Sequence, residues 1–239
     1  MPVFLLSDEI KFPSPQLARN DGLLAVGGDL SQKRLLLAYS MGIFPWFSYE
    51  NHILWWSPDP RLVLYPYEIK VSKTLKKVIQ KDIFHITIDQ AFNQVITSCA
   101  RIRLQKNEGT WIDEDMVKAY CSLHESGFAH SVEAWYEGEL AGGLYGVSLG
   151  KFFSGESMFT RVNNASKVAL VFLVEYLKKL SFDIIDCQVS TKHLINFGAR
   201  EIPRKDFLKQ LEKSLEAPTK KGRWKCNFEF SLWSLCAPW

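Results

Sequence analysis

Residues 129–159, AHSVEAWYEGELAGGLYGVSLGKFFSGESMF, decide how this chain is read. Three runs, AHSVEAWY, ELAGGLYGVSL and KFFSGESMF, meet at Glu137-Gly138 and at Leu149-Gly150, and such short glycine-containing links favour tight hairpins. The stretch therefore predicts a β-meander. The longest helical pattern follows, NNASKVALVFLVEYLKKL, then a strand, FDIIDCQV, and a short helix, STKHLINFG, closed by Gly198. PRKDFLKQLEKSL predicts a last helix and NFEFSLW a last strand.

Upstream, RLVLY and FHITID read as strands. SKTLKKVIQ, DQAFNQVITSCA and DEDMVKAYCSLHESG read as helices, the last with acids in its first turn and Gly127 behind it. Residues 1–61 differ in texture, with FPSP, DGLLAVGGDLS, GIFPWF and WWSPDPR rich in Pro, Gly and Trp. One helix is plain there, SQKRLLLAYSMG, with Ser31 as its cap and Gly42 as its stop. The rest of that segment is expected to be ordered loop. The reading is an α+β protein in two units. Residues 1–61 form a small loop-rich N-terminal domain. Residues 62–239 form a larger domain with a mostly antiparallel central sheet flanked by helices.

The chain has 239 residues, 47% hydrophobic and 23% charged, ample for a sizeable core. A net charge of +3 permits an acidic partner without requiring one. The five cysteines are scattered, with no CxxC pair, so neither a disulfide framework nor a zinc site is expected. The five histidines show no metal-ligand spacing. There is no signal-peptide pattern and no apolar run approaching the roughly 20 residues that span a bilayer. A cytoplasmic, membrane-free protein is expected.

Strand alternation sorts the polar run in IIDCQV. Asp186 and Gln188 are expected on one face, with Ile185, Cys187 and Val189 on the other. In FFSGESMF the same rule sets Glu156 and Met158 against Phe153, Ser157 and Phe159. If the two strands are neighbours, Glu156, Asp186 and Gln188 converge over an apolar floor. Such a cluster suits either a functional site or a buried polar network held for structure.

The order of meander, long helix and parallel-compatible strand resembles the fold of GCN5-related N-acetyltransferases. Those enzymes open the long helix with a glycine-rich phosphate loop. Here that position reads TRVNNASK, so a CoA site is not expected. A more specific resemblance covers most of residues 12–208. FPSPQLARNDGLLAVGGDLS, LLLAYSMGIFPWF, LWWSPDPR, GTWI, LHESGFAHSVEAW, ELAGGLYGVSLGKFFSGESMFTR, NASKVAL, IIDCQV and HLINFGAREIPRKDF resemble, in order, the bacterial leucyl/phenylalanyl-tRNA–protein transferase family. A longer link, CARIRLQKNEGTW, is a local departure.

That resemblance implies an enzyme that takes Leu or Phe, and Met less well, from aminoacyl-tRNA. It delivers the residue to the α-amino group of proteins beginning with Arg or Lys, marking them for degradation, without CoA or metal. It implies Asp186 and Gln188 at the catalytic centre. Gln188 is suited to orient the attacking amine through its carbonyl oxygen, since a neutral carboxamide has almost no proton affinity. Asp186 is expected to hold that amide and to stabilise positive charge on the nitrogen. Glu156 is expected to read the acceptor's basic side chain or ammonium group, the rival being structural pairing with Arg161 or Arg204.

Leu144, Met158, Phe172, Leu173, Leu177 and Ile185 are candidates for the donor pocket, each equally explicable as core. Trp55, Trp56 and Trp111 are candidates to stack the terminal adenine, whereas Trp46 and Trp135 are expected in interface packing. Lys73, Lys76, Lys77, Arg101 and Arg103 are candidates for tRNA phosphate contacts. A monomer is expected. The alternatives are a CoA-dependent N-acetyltransferase and a non-catalytic RNA-binding module.

Overall fold

The computed structural model describes residues 2–49, 52–105 and 112–225, without the side chains of 47–49 and 103–105. The first surprise lies in the Pro- and Trp-rich segment. Instead of loop it forms a four-stranded sheet in the order β1-β2-β4-β3, from β1 (Phe4–Leu6), β2 (Leu23–Gly27), β3 (Phe44–Tyr49) and β4 (His52–Trp56). Its strands are short, and β3 contains Pro45 on an edge, where the missing N–H breaks no ladder. Those features hide the period-2 signal. Between β2 and β3 runs the expected helix α1 (Gln32–Ser40), with the Ser31 hydroxyl accepting from the Arg34 amide.

The remaining strands form a seven-stranded sheet. Its sequence elements run β5 (Arg61–Leu64), α2 (Lys73–Gln80), β6 (His85–Ile88), α3 (Phe92–Gln105), α4 (Glu114–Glu125), β7 (Ala129–Tyr136), β8 (Glu139–Leu149), β9 (Phe152–Thr160), α5 (Ala165–Lys179), β10 (Ile184–Gln188), α6 (Lys192–Asn196), β11 (Arg200–Ile202) and α7 (Arg204–Leu215). In space the strands lie β11-β5-β10-β9-β8-β7-β6. The meander is β7, β8 and β9, and β10 joins β9 as the parallel strand that the crossover helix α5 permits. All other pairs in this sheet are antiparallel, so the α+β class with a mostly antiparallel sheet is the one observed. NFEFSLW lies outside the described residues.

Helix α5 is apolar nearly all round, with eleven of its residues buried, because it fills one face of the sheet. Helices α3 and α4 pack on the other face. Beyond α7 the chain runs back over the fold. Trp224 is buried there with its ring stacked on His130 at 3.7 Å, and its amide donates to Asp89 at 2.6 Å. No helix among the described residues is long and apolar enough to cross a membrane.

Two irregularities in register shape the centre of this sheet. Tyr145 faces Ser157 and Gly146 faces Gly155, which leaves Glu156 as an extra residue in β9. Asp186 faces Val63 and Gln188 faces Leu62, which leaves Cys187 as an extra residue in β10. These are β-bulges, which re-aim side chains and end pairing. Parallel pairing of β9 with β10 stops at Ser154–Asp186, just before both bulges.

Gly146 shows how tightly this region is closed. A Cβ there would lie 2.2 Å from the Ser154 carbonyl oxygen and 2.5 Å from the Phe153 ring. Gly146→Ala is expected to destabilise the fold by about 1–3 kcal/mol through overpacking, read as a lower urea midpoint with an unchanged slope.

Candidate active site

Where β9 and β10 part, a cavity of about 270 Å³ opens. Leu144, Met158, Leu170, Leu173 and Ile185 give it apolar walls, and Glu156, Asp186 and Gln188 line it with polar groups. The convergence expected from alternation is present, but the bulges produce it. Asp186 and Gln188 do not form one continuous polar face. Gln188 takes a left-handed backbone, φ +64°, which costs a non-glycine residue on the order of 1 kcal/mol. The Asp186 side chain steadies it, since Oδ1 accepts the Gln188 amide at 2.9 Å.

Asp186 is otherwise engaged by Arg61. The guanidinium donates through Nε to Oδ1 at 2.7 Å and through Nη2 to Oδ2 at 2.6 Å, with both side chains 1% exposed. The Arg61 plane lies between the rings of Phe44 and Phe207, at 4.8 and 4.6 Å from their centroids. A two-pronged, fully buried pair of this kind is among the stronger polar contacts a protein makes. Contrary to the expectation from sequence, Asp186 does not hold the Gln188 carboxamide. It holds that residue's backbone, and its charge is balanced by Arg61.

The carboxamide belongs to Glu156 instead. Gln188 Nε2 donates to Glu156 Oε1 at 2.9 Å and approaches Ser154 Oγ at 3.3 Å. Ser154 also donates to Oε1, at 3.0 Å, and Tyr120 donates to Oε2, also at 3.0 Å. Tyr39 in turn hydrogen-bonds Tyr120. Neither Arg161 nor Arg204 is its partner. Arg161 reaches Ser98 and the Leu140 carbonyl, and Arg204 reaches the Ser57 carbonyl. Burial without a cation pushes the Glu156 carboxyl up to about 7, against the pull of its hydroxyl donors. Desolvation and the neighbouring Asp186 charge push the Cys187 thiol at the cavity wall well above its usual range, which favours the neutral thiol.

The other candidates divide. Phe172 lines a separate hollow of about 890 Å³ beside β6, not this cavity, and Leu177 is sealed in the core with no exposure. Trp55 is equally sealed, its indole donating to the Gly27 carbonyl at 2.8 Å. Trp56 donates to the Trp46 carbonyl and packs edge-on to that ring. Among the described residues the tryptophan that lines the cavity is Trp46, expected from sequence in packing. Trp111 and the side chain of Arg103 lie outside the described residues. Lys73, Lys77 and Arg101 are exposed and Lys76 is half-buried.

Sequence reasoning missed Arg61, Tyr39 and Tyr120. Arg61 ends the stretch SPDPR and opens β5, and an arginine beginning a strand buried at all four positions is a signal that it must have a buried anionic partner. The tyrosines sit on the apolar faces of α1 and α4 and look like core.

A family profile described as leucyl/phenylalanyl-tRNA protein transferase matches residues 63–212, and one for the N-terminal domain of such proteins matches residues 28–59. A leucyl/phenylalanyl-tRNA–protein transferase of Desulforapulum autotrophicum is 57% identical over 94% of this chain and 98% of its own length. One of Desulfatibacillum aliphaticivorans is 57% identical over 97% of this chain and 100% of its own. Among solved structures, an aminoglycoside acetyltransferase from an uncultured soil metagenomic sample aligns with 49% of this chain and 86% of its own, at 11% identity and a TM-score of 0.40.

Arg61→Met should strand Asp186 as an unpaired buried charge and cost about 3–5 kcal/mol. Chemical denaturation measures this as a lower midpoint with an unchanged slope.

Proposed function

This chain belongs to the leucyl/phenylalanyl-tRNA–protein transferase family, and from that premise we propose the following reaction. The enzyme transfers Leu or Phe, and Met less well, from aminoacyl-tRNA to the α-amino group of proteins that begin with Arg or Lys. It works in the cytoplasm as a monomer, without CoA or metal, and marks its products for degradation. Residues 1–61 serve as a small N-terminal domain beside the acyltransferase-like catalytic domain of residues 62–239.

The observation that carries this reading is the fixed orientation of Gln188. Its nitrogen is turned to Glu156 and Ser154, and among the described residues nothing donates to its oxygen. The oxygen is then available to accept from an amine at the cavity mouth and to aim the lone pair at an ester carbonyl. Aminolysis forms the new N–C bond and breaks the C–O bond to the terminal ribose. The proton leaves the nitrogen and ends on the ribose oxygen. An aminoacyl ester is already activated, so no enzyme-bound intermediate is needed.

The apolar cavity suits an unbranched-at-Cβ side chain, and Met158 at its wall is pliant enough to receive Leu, Phe or Met. Trp46 sits where a terminal adenine could stack. Glu156 is 7% exposed and already accepts three hydrogen bonds. That favours a role in holding Gln188 over direct reading of the acceptor's basic side chain. Lys73, Lys77 and Arg101 supply charge for acceptor-stem phosphates, and binding should weaken steeply with salt.

Incubation with labelled Leu-tRNA and peptides beginning with Arg, Lys or Ala tests the assignment. Label is expected on the first two only, and label on all three or on none overturns it. Gln188→Ala should slow single-turnover transfer by roughly 100-fold or more, as loss of a positioning contact does, with tRNA binding in a filter assay unchanged.

A further inference from the structure

We propose that Tyr39 and Tyr120 are positioning residues for the transfer, a two-hydroxyl chain that holds the Glu156 carboxylate against the Gln188 carboxamide. This rests on the roles given above to Gln188 and Glu156. Tyr120 has one hydroxyl proton and gives it to Glu156 Oε2 at 3.0 Å. Its close contact with the Tyr39 hydroxyl therefore requires Tyr39 to donate. The chain starts on α1, in the first sheet's segment, and ends on the bulge of β9 in the second. Both tyrosines are buried. Burial next to the Glu156 charge pushes both phenols well above their usual range, so they remain donors.

Bland satisfaction of two buried hydroxyls would need no carboxylate at the end of the chain. Here the chain ends on a carboxylate that no cation pairs among the described residues. From α1 and α4, Glu156 meets Tyr39 and Tyr120. From β9 it meets Ser154. From β10 it faces Gln188 and the Asp186 charge, which Arg61 of β5 neutralises. Tyr145 of β8 closes the far side of Tyr120, ring to ring at 5.6 Å, and His193 of α6 lines the same cavity.

Of these groups the hydroxyls favour the charged carboxylate, whereas burial and Asp186 oppose it. Removing the Tyr120 hydroxyl leaves burial unopposed on Oε2, so Glu156 takes up a proton at a higher pH. A protonated Glu156 no longer fixes which end of the Gln188 amide faces it. The carboxamide is then free to turn its nitrogen toward the incoming amine, which is the wrong polarity for attack.

The test follows the carboxylic-acid C=O stretch by infrared spectroscopy from pH 5 to 9, with Glu156→Gln as the blank. The parent midpoint is expected near 7. Tyr120→Phe should raise it by on the order of one unit, a tenfold drop in the ratio of ionised to protonated carboxyl at fixed pH, and Tyr39→Phe by less. Single-turnover transfer to an Arg peptide is measured at pH 6.5 and 8.5. The acceptor amine titrates identically for all variants, so the ratio of variant to parent is the quantity read. For Tyr120→Phe it should be about tenfold low at pH 6.5 and approach parity at pH 8.5, with tRNA affinity unchanged.

An unmoved infrared midpoint, or a ratio equal at both pH values, overturns the proposal. Tyr39→Phe carries the same readouts if Tyr120→Phe fails to fold. A parent that transfers nothing sinks the proposed function instead, while the infrared titration still judges the hydroxyl chain.

Discussion

The buried pair of Arg61 and Asp186 is the constraint around which the centre of the molecule is organised. It joins the first residue of β5 to a side chain 125 positions later. It also faces two aromatic rings, one from β3 of the first sheet and one from α7. Sealing a charge of either sign alone would cost several kcal/mol, so neither residue tolerates the absence of the other. The pair thus fixes the register of β5 against β10. Through the Asp186–Gln188 amide contact it also fixes the left-handed turn that throws Gln188 out of line. A neutral hydrophobic pair of the same volume could stabilise the fold as well, but it could not accept that amide.

Alongside this neutralised pair, Glu156 has no cation beside it among the described residues. The contrast divides the labour between two carboxylates less than a strand apart. Asp186 is paired with a guanidinium and serves structure. Glu156 is held near its titration point by burial, and serves orientation. A carboxylate is the acceptor that forces the NH₂ end of a neighbouring carboxamide toward itself, and so leaves the oxygen outward. The two bulges are what make the geometry available. In unbroken strands Glu156 and Cys187 would each have a ladder partner, and β9 and β10 would close over the cavity.

Much of this was legible in the sequence where chemistry is local. The meander was written in its glycine-containing turns, the long helix in its apolar run, and the acid–amide cluster in two short strands. What resisted reading was non-local or aperiodic. Alternation put Asp186 and Gln188 on one face because a bulge leaves no mark in a single strand's pattern. Phe172, Leu177 and Trp55 were offered to the site because an apolar side chain in a wall and one in a core look alike until the packing is known. The first sheet read as loop because strands of three to six residues broken by proline carry too few periods to register. Arg61 is the instructive omission. Asp186 is its partner, and a cation opening a wholly buried strand has to meet an anion somewhere.

The enclosure of Arg61 has a temporal side. Its anionic partner, the strand that carries it and the Phe207 ring beneath it all lie late in the chain. A polypeptide emerging from the ribosome can build α1 and the first sheet early, but it holds Arg61 exposed until α7 has cleared the exit tunnel and docked. Pairings of such long sequence separation form late in folding. The pocket beside Asp186 and Gln188 therefore takes shape in one late step, and not by degrees as the length grows.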